Sequence, residues 1–414
     1  MTTVARPKKH QAITVVLMGL LASIGLFAQT IRPDAITFLA QPVEPPTTAR
    51  RYTVLHTFQG SDGAYPYGNL VRDSGGSLYG TTSNGGTANA GVIYKLETTG
   101  KYTVLYTFTG MNGALPNGLI RDSTGNLYGT TEIGGRAGAG VVYEFDTSGQ
   151  ETVLYSFTGG ADGAQPYAGV FRDSAGNLYG TTEYGGTSGS YNCPSGCGVV
   201  YKLDATGHYT VLHSFTGGVA GGNTQAGVIR DSAGNLYGTT QYGGTVDQGV
   251  VYKVDTVGHE AVLHNFTGFP DGSHPHAGVI RDSEGNLYGT TVGGGAEGAN
   301  AGVVYKLYAE NESVLYSFGG NSTLLQPYTG VIRDSAGNLY GTTAYGGDLA
   351  ECGGFGCGVV YKLDTTGTCT VLHSFTGAGG QYPTALIRDS KGNLYGTAQT
   401  GGKNNLGVVF KLAP

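Results

Sequence analysis

The chain has 414 residues, 75 of them glycine and none tryptophan, with a formal net charge of −6 at pH 7. That length would ordinarily divide into two or three domains, and that much glycine would mean low complexity if it were scattered without order. The acidic balance and the even spread of Lys and Arg leave no basic patch, which excludes nucleic acid and an anionic membrane surface as partners.

Arg6, Lys8 and Lys9 precede an uncharged apolar run over residues 12–28. This predicts a secretory signal peptide spanning residues 1–28. The alternative is a signal-anchor, since about 17 apolar residues is the lower limit for spanning a bilayer. Either way the rest of the chain is expected outside the cytoplasm. Residues 29–51, with Pro33, Pro42, Pro45 and Pro46, predict a stiff linker. Three of the 23 Lys and Arg residues lie in the leader, so cleavage leaves 20 against 29 Asp and Glu, a formal charge of −9.

From residue 52 onward one phrase recurs. G-N-L-Y-G-T-T, or a near copy, begins at Gly76, Gly125, Gly176, Gly234, Gly285, Gly337 and Gly392, each time followed by a double glycine and a G-V-V-Y-K-L-like run. Each unit of roughly 50 residues is too small to bury a core alone, so the copies must pack on one another. Residues 226–266 show four strand patterns: G-V-I-R, N-L-Y-G-T-T, V-V-Y-K-V and A-V-L-H-N-F. Asp-Ser-x-Gly joins the first two as a hairpin turn, and Asp-x-x-Gly joins the last two. Strands apolar on both faces, such as V-V-Y-K-L, suit blades packed between neighbours. The glycine inside L-Y-G-T-T fits a place where another blade comes close.

The fold predicted is all-β: a seven-bladed β-propeller of four-stranded antiparallel blades over residues 52–414. The longest connection, F-T-G-x-x-D-G-x-x-P, should pass from blade to blade, which makes G-V-I-R the innermost strand. The repeats then begin with an outer strand at residues 52–58 and end with a third strand at 407–412. Closure is expected by the N-terminal outer strand joining the C-terminal blade, so that no edge is left open there.

The unit R-D-S-x-G-N-L-Y-G-T-T-x-x-G-G followed by G-V-V-Y-K-L resembles the bacterial tandem repeat called GloVer, across all seven copies. The resemblance implies an exported propeller of unassigned activity. The strand grammar is also similar to NHL-type propellers and, more distantly, to the streptogramin lyase and gluconolactonase propellers, which are enzymes.

In the predicted fold the channel mouth is lined by the residues entering the inner strands: Tyr67, Asn117, Tyr167, Gln225, His276, Tyr328 and Thr384. Here the repeat varies while its surroundings stay fixed, which makes the ring the candidate binding site. Tyrosines and an imidazole around a concave mouth suit stacking on sugar rings and hydrogen bonding to hydroxyls. The ring contains no carboxylate, and acid-pair glycosidase chemistry is not expected. The recurrent acids Asp73, Asp122, Asp173, Asp231, Asp282, Asp334 and Asp389 lie at the opposite end in every copy and read as turn-formers. Seven arginines there, Arg72 to Arg388, read as partners of carboxylates or carbonyls between blades, or as an anion-binding ring.

His274 and His276, two apart, should share one face of an extended segment, but two ligands without a third are no metal site, and no metal or other cofactor is expected. His56, His213, His264 and His373 exchange with Tyr106, Tyr155 and Tyr316 at one outer-strand position, which argues for packing. Cys193 with Cys197 and Cys352 with Cys357 occupy the same lengthened loop of two copies. In an exported chain they predict two local disulfides, and Cys369 remains a packed free thiol. The expectation is therefore a monomeric, exported binding or scaffold propeller for a polysaccharide or a cell-surface protein. The alternative is a propeller lyase or hydrolase working at the mouth.

Overall fold

The computed structural model describes residues 43–44, 51–187, 193–296, 298–309, 311–319 and 324–414, all within the unit Phe38–Pro414. The leader expected over residues 1–28, and nearly all of the expected linker, lie outside them.

In each repeat the four predicted strands pair antiparallel in chain order. The third blade is typical, with Phe171–Arg172 innermost, then Leu178–Thr182, Val199–Leu203 and Tyr209–Ser214. Seven such four-stranded sheets make the propeller. The seventh is composite. Gln381–Arg388, Leu394–Thr400 and Val408–Ala413 come from the C-terminus, and Arg51–Thr57 supplies the outer strand, with Tyr52 opposite Leu412 and Thr57 opposite Val408. Phe58, completely buried, follows that strand. Its burial contributes about 1.5–3 kcal/mol to the ring's closure. The sixth blade carries a short fifth strand, Val43–Glu44, running parallel to Cys369–Ser374, so the predicted linker touches the propeller there.

The core lies between blades. The third strands have four of five leading positions buried on both faces, with only the Lys or Glu partly exposed. A representative interblade cluster joins Tyr128 and Val142 of the second blade to Val170, Leu178, Val199 and Tyr201 of the third. The L-Y-G-T-T glycine is explained within a single blade, which corrects the expectation that a neighbour approaches it. Gly180 pairs across the ladder with Tyr201, whose ring lies over it, and a Cβ there would stand 2.6 Å from Tyr201 Cζ. Backbones of neighbouring blades meet one strand inward, where a Cβ on Gly169 would lie 2.6 Å from the Gly118 carbonyl oxygen.

One end of the channel is stitched identically in all blades. In the third, the Asn177 amide donates to Asp173 Oδ1 (2.9 Å) and the Tyr179 hydroxyl to Asp173 Oδ2 (3.1 Å). Burial alone would raise the Asp173 pKa, but these bonds to Asn177 and Tyr179 hold it below the usual carboxylate range. Each arginine lies over the tyrosine of the preceding blade, as Arg172 over Tyr128 (5.2 Å) and Arg230 over Tyr179 (5.5 Å). The same contact recurs for Arg72, Arg121, Arg281, Arg333 and Arg388. The contact common to all seven is therefore an aromatic face, because a planar guanidinium stacks where a neighbouring ring is presented, and Arg121 also interacts with the Asp73 carboxylate of the preceding blade.

Candidate binding site at the channel mouth

The chain reaches the mouth through a repeated device. The residue two before each ring position adopts a left-handed φ, between 53° and 59° at Tyr65, Leu115, Gln165, Asn223, His274, Gln326 and Tyr382. Non-glycine residues reach this region at a cost. Each is held by an N–H bond to the loop of the preceding blade, such as Asn223 to the Cys197 carbonyl (2.8 Å) and Tyr382 to the Cys357 carbonyl (3.2 Å). The first threonine of L-Y-G-T-T then ties the inner strand down: Thr181 Oγ1 donates to the Ala226 carbonyl at 2.8 Å. This fixed backbone aims the variable residue two positions further on at the axis.

The result is a cavity of 690 Å³ that all seven predicted ring residues line. Four of them form one edge-to-face chain across it. Tyr67 meets Tyr167 (centroids 5.5 Å), Tyr167 meets His276 (6.0 Å), and His276 meets Tyr328 (5.3 Å). The Tyr67 and Tyr167 hydroxyls share a hydrogen bond. Burial drives the Tyr67 phenol far above its ordinary range, with Tyr167 adding to it. Burial also pushes the His276 imidazole down to about 4, against a hydrogen bond to the Tyr328 backbone, so it is neutral in ordinary solution. In each edge-to-face contact the edge of one ring covers one face of its neighbour, so the chain lines the cavity with alternating ring edges and faces.

The other three predicted residues are committed elsewhere. Asn117, 4% exposed, donates its amide to the Pro166 carbonyl (2.6 Å), and Thr384 shares a hydrogen bond with Thr397 (2.5 Å). Gln225 Nε2 donates to Glu183 Oε1 at 2.9 Å. That contact exposes a feature the ring alone concealed. Glu132 and Glu183, at the same position in successive blades, stand beside the aromatic chain. Burial first, and then the Glu183 charge, raise the Glu132 carboxyl pKa. The mouth is thus flanked by carboxylates, although the ring itself contains none. The position after T-T reads Ser83, Glu132, Glu183, Gln241, Val292, Ala344 and Gln399. It varies as the ring does, and Ala344 and Gln399 line the cavity.

His274 and His276 do not form a pair. The left-handed φ of 54° at His274 breaks the extended path, so the His274 ring packs on Tyr242 while His276 faces the channel. Among the described residues no group of three or more His, Cys, Asp or Glu is placed to hold a metal ion. The outer-strand histidines pack against the next blade, His56 stacking on Tyr102 (3.7 Å) and His373 on Tyr52 (3.9 Å). Cys193–Cys197 and Cys352–Cys357 are disulfides in the mouth-side loops of the third and sixth blades, and Cys369 is a buried free thiol, pushed by burial up to about 12.

Among solved structures the fold is similar to a streptogramin B lyase, at 13% identity over 88% of this chain and 97% of that chain, with a TM-score of 0.57. It is also similar to a catalytically inactive virginiamycin B lyase from Staphylococcus aureus with quinupristin, at 12% identity over 88% and 99%, with a TM-score of 0.59. At these identities the likeness shows the fold. No curated protein matches the sequence. The model of the Gloeobacter/Verrucomicrobia repeat matches residues 43–192 and 190–410, and the chain belongs to that repeat family.

Proposed function

We propose that the protein is an exported, monomeric binding propeller whose ligand is a carbohydrate held in the channel mouth. The observation that carries this reading is the 690 Å³ cavity crossed by the Tyr67–Tyr167–His276–Tyr328 chain. Sugars pair apolar C–H faces with hydroxyl rims, and this lining alternates π faces with phenol and imidazole groups that hydrogen-bond. Disulfides in the mouth loops support export, because such bonds persist in oxidising compartments. Among the described residues no helix is long and apolar enough to cross a membrane. A cell-surface protein is the competing ligand of the same face.

The test is depletion of residues 29–414 from solution by a panel of insoluble polysaccharides. Binding to one member that Tyr167→Ala and His276→Ala each abolish, with melting temperatures unchanged, is the expected result. No depletion by any member removes the carbohydrate reading and shifts weight to a protein ligand.

The second reading is an enzyme at the same mouth. It is favoured by Glu132, whose carboxyl retains its proton to higher pH than usual beside Glu183, since an acid of raised pKa is what general acid catalysis needs. The likeness to lyase structures adds a fold in which chemistry is known. Product release from a bound polysaccharide, lost in Glu132→Gln, would favour this reading over simple binding.

A further inference from the structure

Two further aromatic rings, Tyr345 and Tyr382, line the same cavity as Tyr328. Tyr345 meets Tyr382 edge-on (5.4 Å, 83°) and Phe355 (6.4 Å, 65°). Phe355 stands outside the cavity and is 66% exposed.

A phenylalanine held in water forgoes the burial that normally places it inside. The loop that carries it is built to keep it there. Cys352–Cys357 closes the loop around it, and Gly353, Gly354 and Gly356 take positive φ values of 72–94°. The Gly346 amide donates to the Phe355 carbonyl at 2.8 Å, and the Tyr382 amide fastens the loop to the next blade through Cys357. Bracing alone does not cause the exposure. The loop closed by Cys193–Cys197 is fastened to its neighbour in the same way, yet its described residues expose no large apolar side chain.

We propose that Phe355, Tyr345 and Tyr382 form an outer subsite that holds a second stretch of a glycan chain whose first sugar occupies the mouth cavity. The inference rests on the carbohydrate reading of the mouth. Three observations select a chain of sugars as the occupant. The rings follow directly on the cavity lining, so one molecule can touch both. Tyrosine hydroxyls sit beside the rings, as a sugar's hydroxyl rim requires. The platform is fixed before binding, so little ordering cost remains to be met by the ligand.

The experiment compares the disaccharide and hexasaccharide of cellulose, chitin, xylan and mannan by calorimetric titration against the wild type, Phe355→Ala, Phe355→Trp and His276→Ala. The expected result is that one hexasaccharide binds more tightly than its disaccharide. Phe355→Ala should weaken only the hexasaccharide, by about tenfold, while Phe355→Trp retains it. Equal affinity for both lengths, or a hexasaccharide indifferent to Phe355→Ala while His276→Ala abolishes binding, overturns the outer subsite and leaves the mouth reading intact. No sugar bound by the wild type overturns both. Phe355 is exposed, so an unchanged melting temperature should accompany its replacement.

Discussion

The two ends of the channel are built from the same strands and follow opposite rules. At the arginine end every blade repeats one arrangement: a carboxylate closing the turn, a tyrosine donating to it, and the next blade's guanidinium over that tyrosine. At the mouth the backbone device is equally uniform, but the side chains it aims are Tyr67, Asn117, Tyr167, Gln225, His276, Tyr328 and Thr384. A contact needed for assembly is needed seven times and is held constant. A position freed from assembly can differ in each blade, and only such a position can make an asymmetric pocket from a symmetric ring. The mouth is where this fold has room for specificity.

The comparison breaks most visibly at the glycines of the constant half. Gly180→Ala sets a methyl group against the Tyr201 ring in the middle of a blade, where neither partner has space to move. A loss of about 1–3 kcal/mol is expected, read as a lowered denaturant midpoint. An alanine tolerated without loss would mean that the ladder opens locally and that the close approach carries no structural demand. Arg172→Ala comes next. It removes a stacked guanidinium from between two blades, and a loss of about 0.5–2 kcal/mol is expected. Ligand binding at the mouth should stay unchanged in both variants once they are folded. Binding that fell with Arg172→Ala in a folded protein would erase the division between a structural end and a binding end.

The sequence makes the propeller legible because each blade repeats its own local pattern: turn, strand, turn, strand. Closure by residues 52–58 follows from the phase of the repeat alone, and the two disulfides follow from local spacing once a leader is read at residues 1–28. What lies between repeats is harder to read. Arg172 finds its tyrosine in the preceding copy, so scanning a single unit offers a carboxylate and misses the ring. Within the mouth, the aromatic residues stand out because they vary at a fixed offset. Glu132 and Glu183 obey the same rule one strand outward, and comparison of the residue after T-T in all copies would have found them. His274 could not be placed from its spacing to His276, because the left-handed turn before the proline is a product of interblade packing. Phe355 falls in a lengthened loop with no counterpart in most copies, so no repeat position marks it.

The last prediction concerns the pH dependence of the variable half. His276 has its folded pKa pushed by burial down to about 4, against an ordinary value of 6.5. Between these values the unfolded chain takes up a proton that the folded mouth refuses. Stability from this group is therefore fully present above pH 6.5 and is lost as pH falls toward 4. His373, buried against Tyr52 in the closing blade, behaves alike and adds to the same acid-side loss. Glu260 and Glu312 act in the opposite sense. Burial raises both to about 7, so their contribution declines as pH rises from 4.5 to 7. The total curve mixes these terms, but the difference between wild type and His276→Gln isolates one of them. That difference should be constant above pH 6.5 and should shift in favour of His276→Gln as the solution is acidified toward pH 4. Ligand affinity of the wild type should hold steady from pH 8 to about pH 5 and fall below it, as a charged imidazole disturbs the chain between Tyr167 and Tyr328. A difference curve that stays flat to pH 4 would mean that the imidazole accepts its proton inside the mouth as readily as in water. The aromatic chain would then be too open to act as the wall of a pocket.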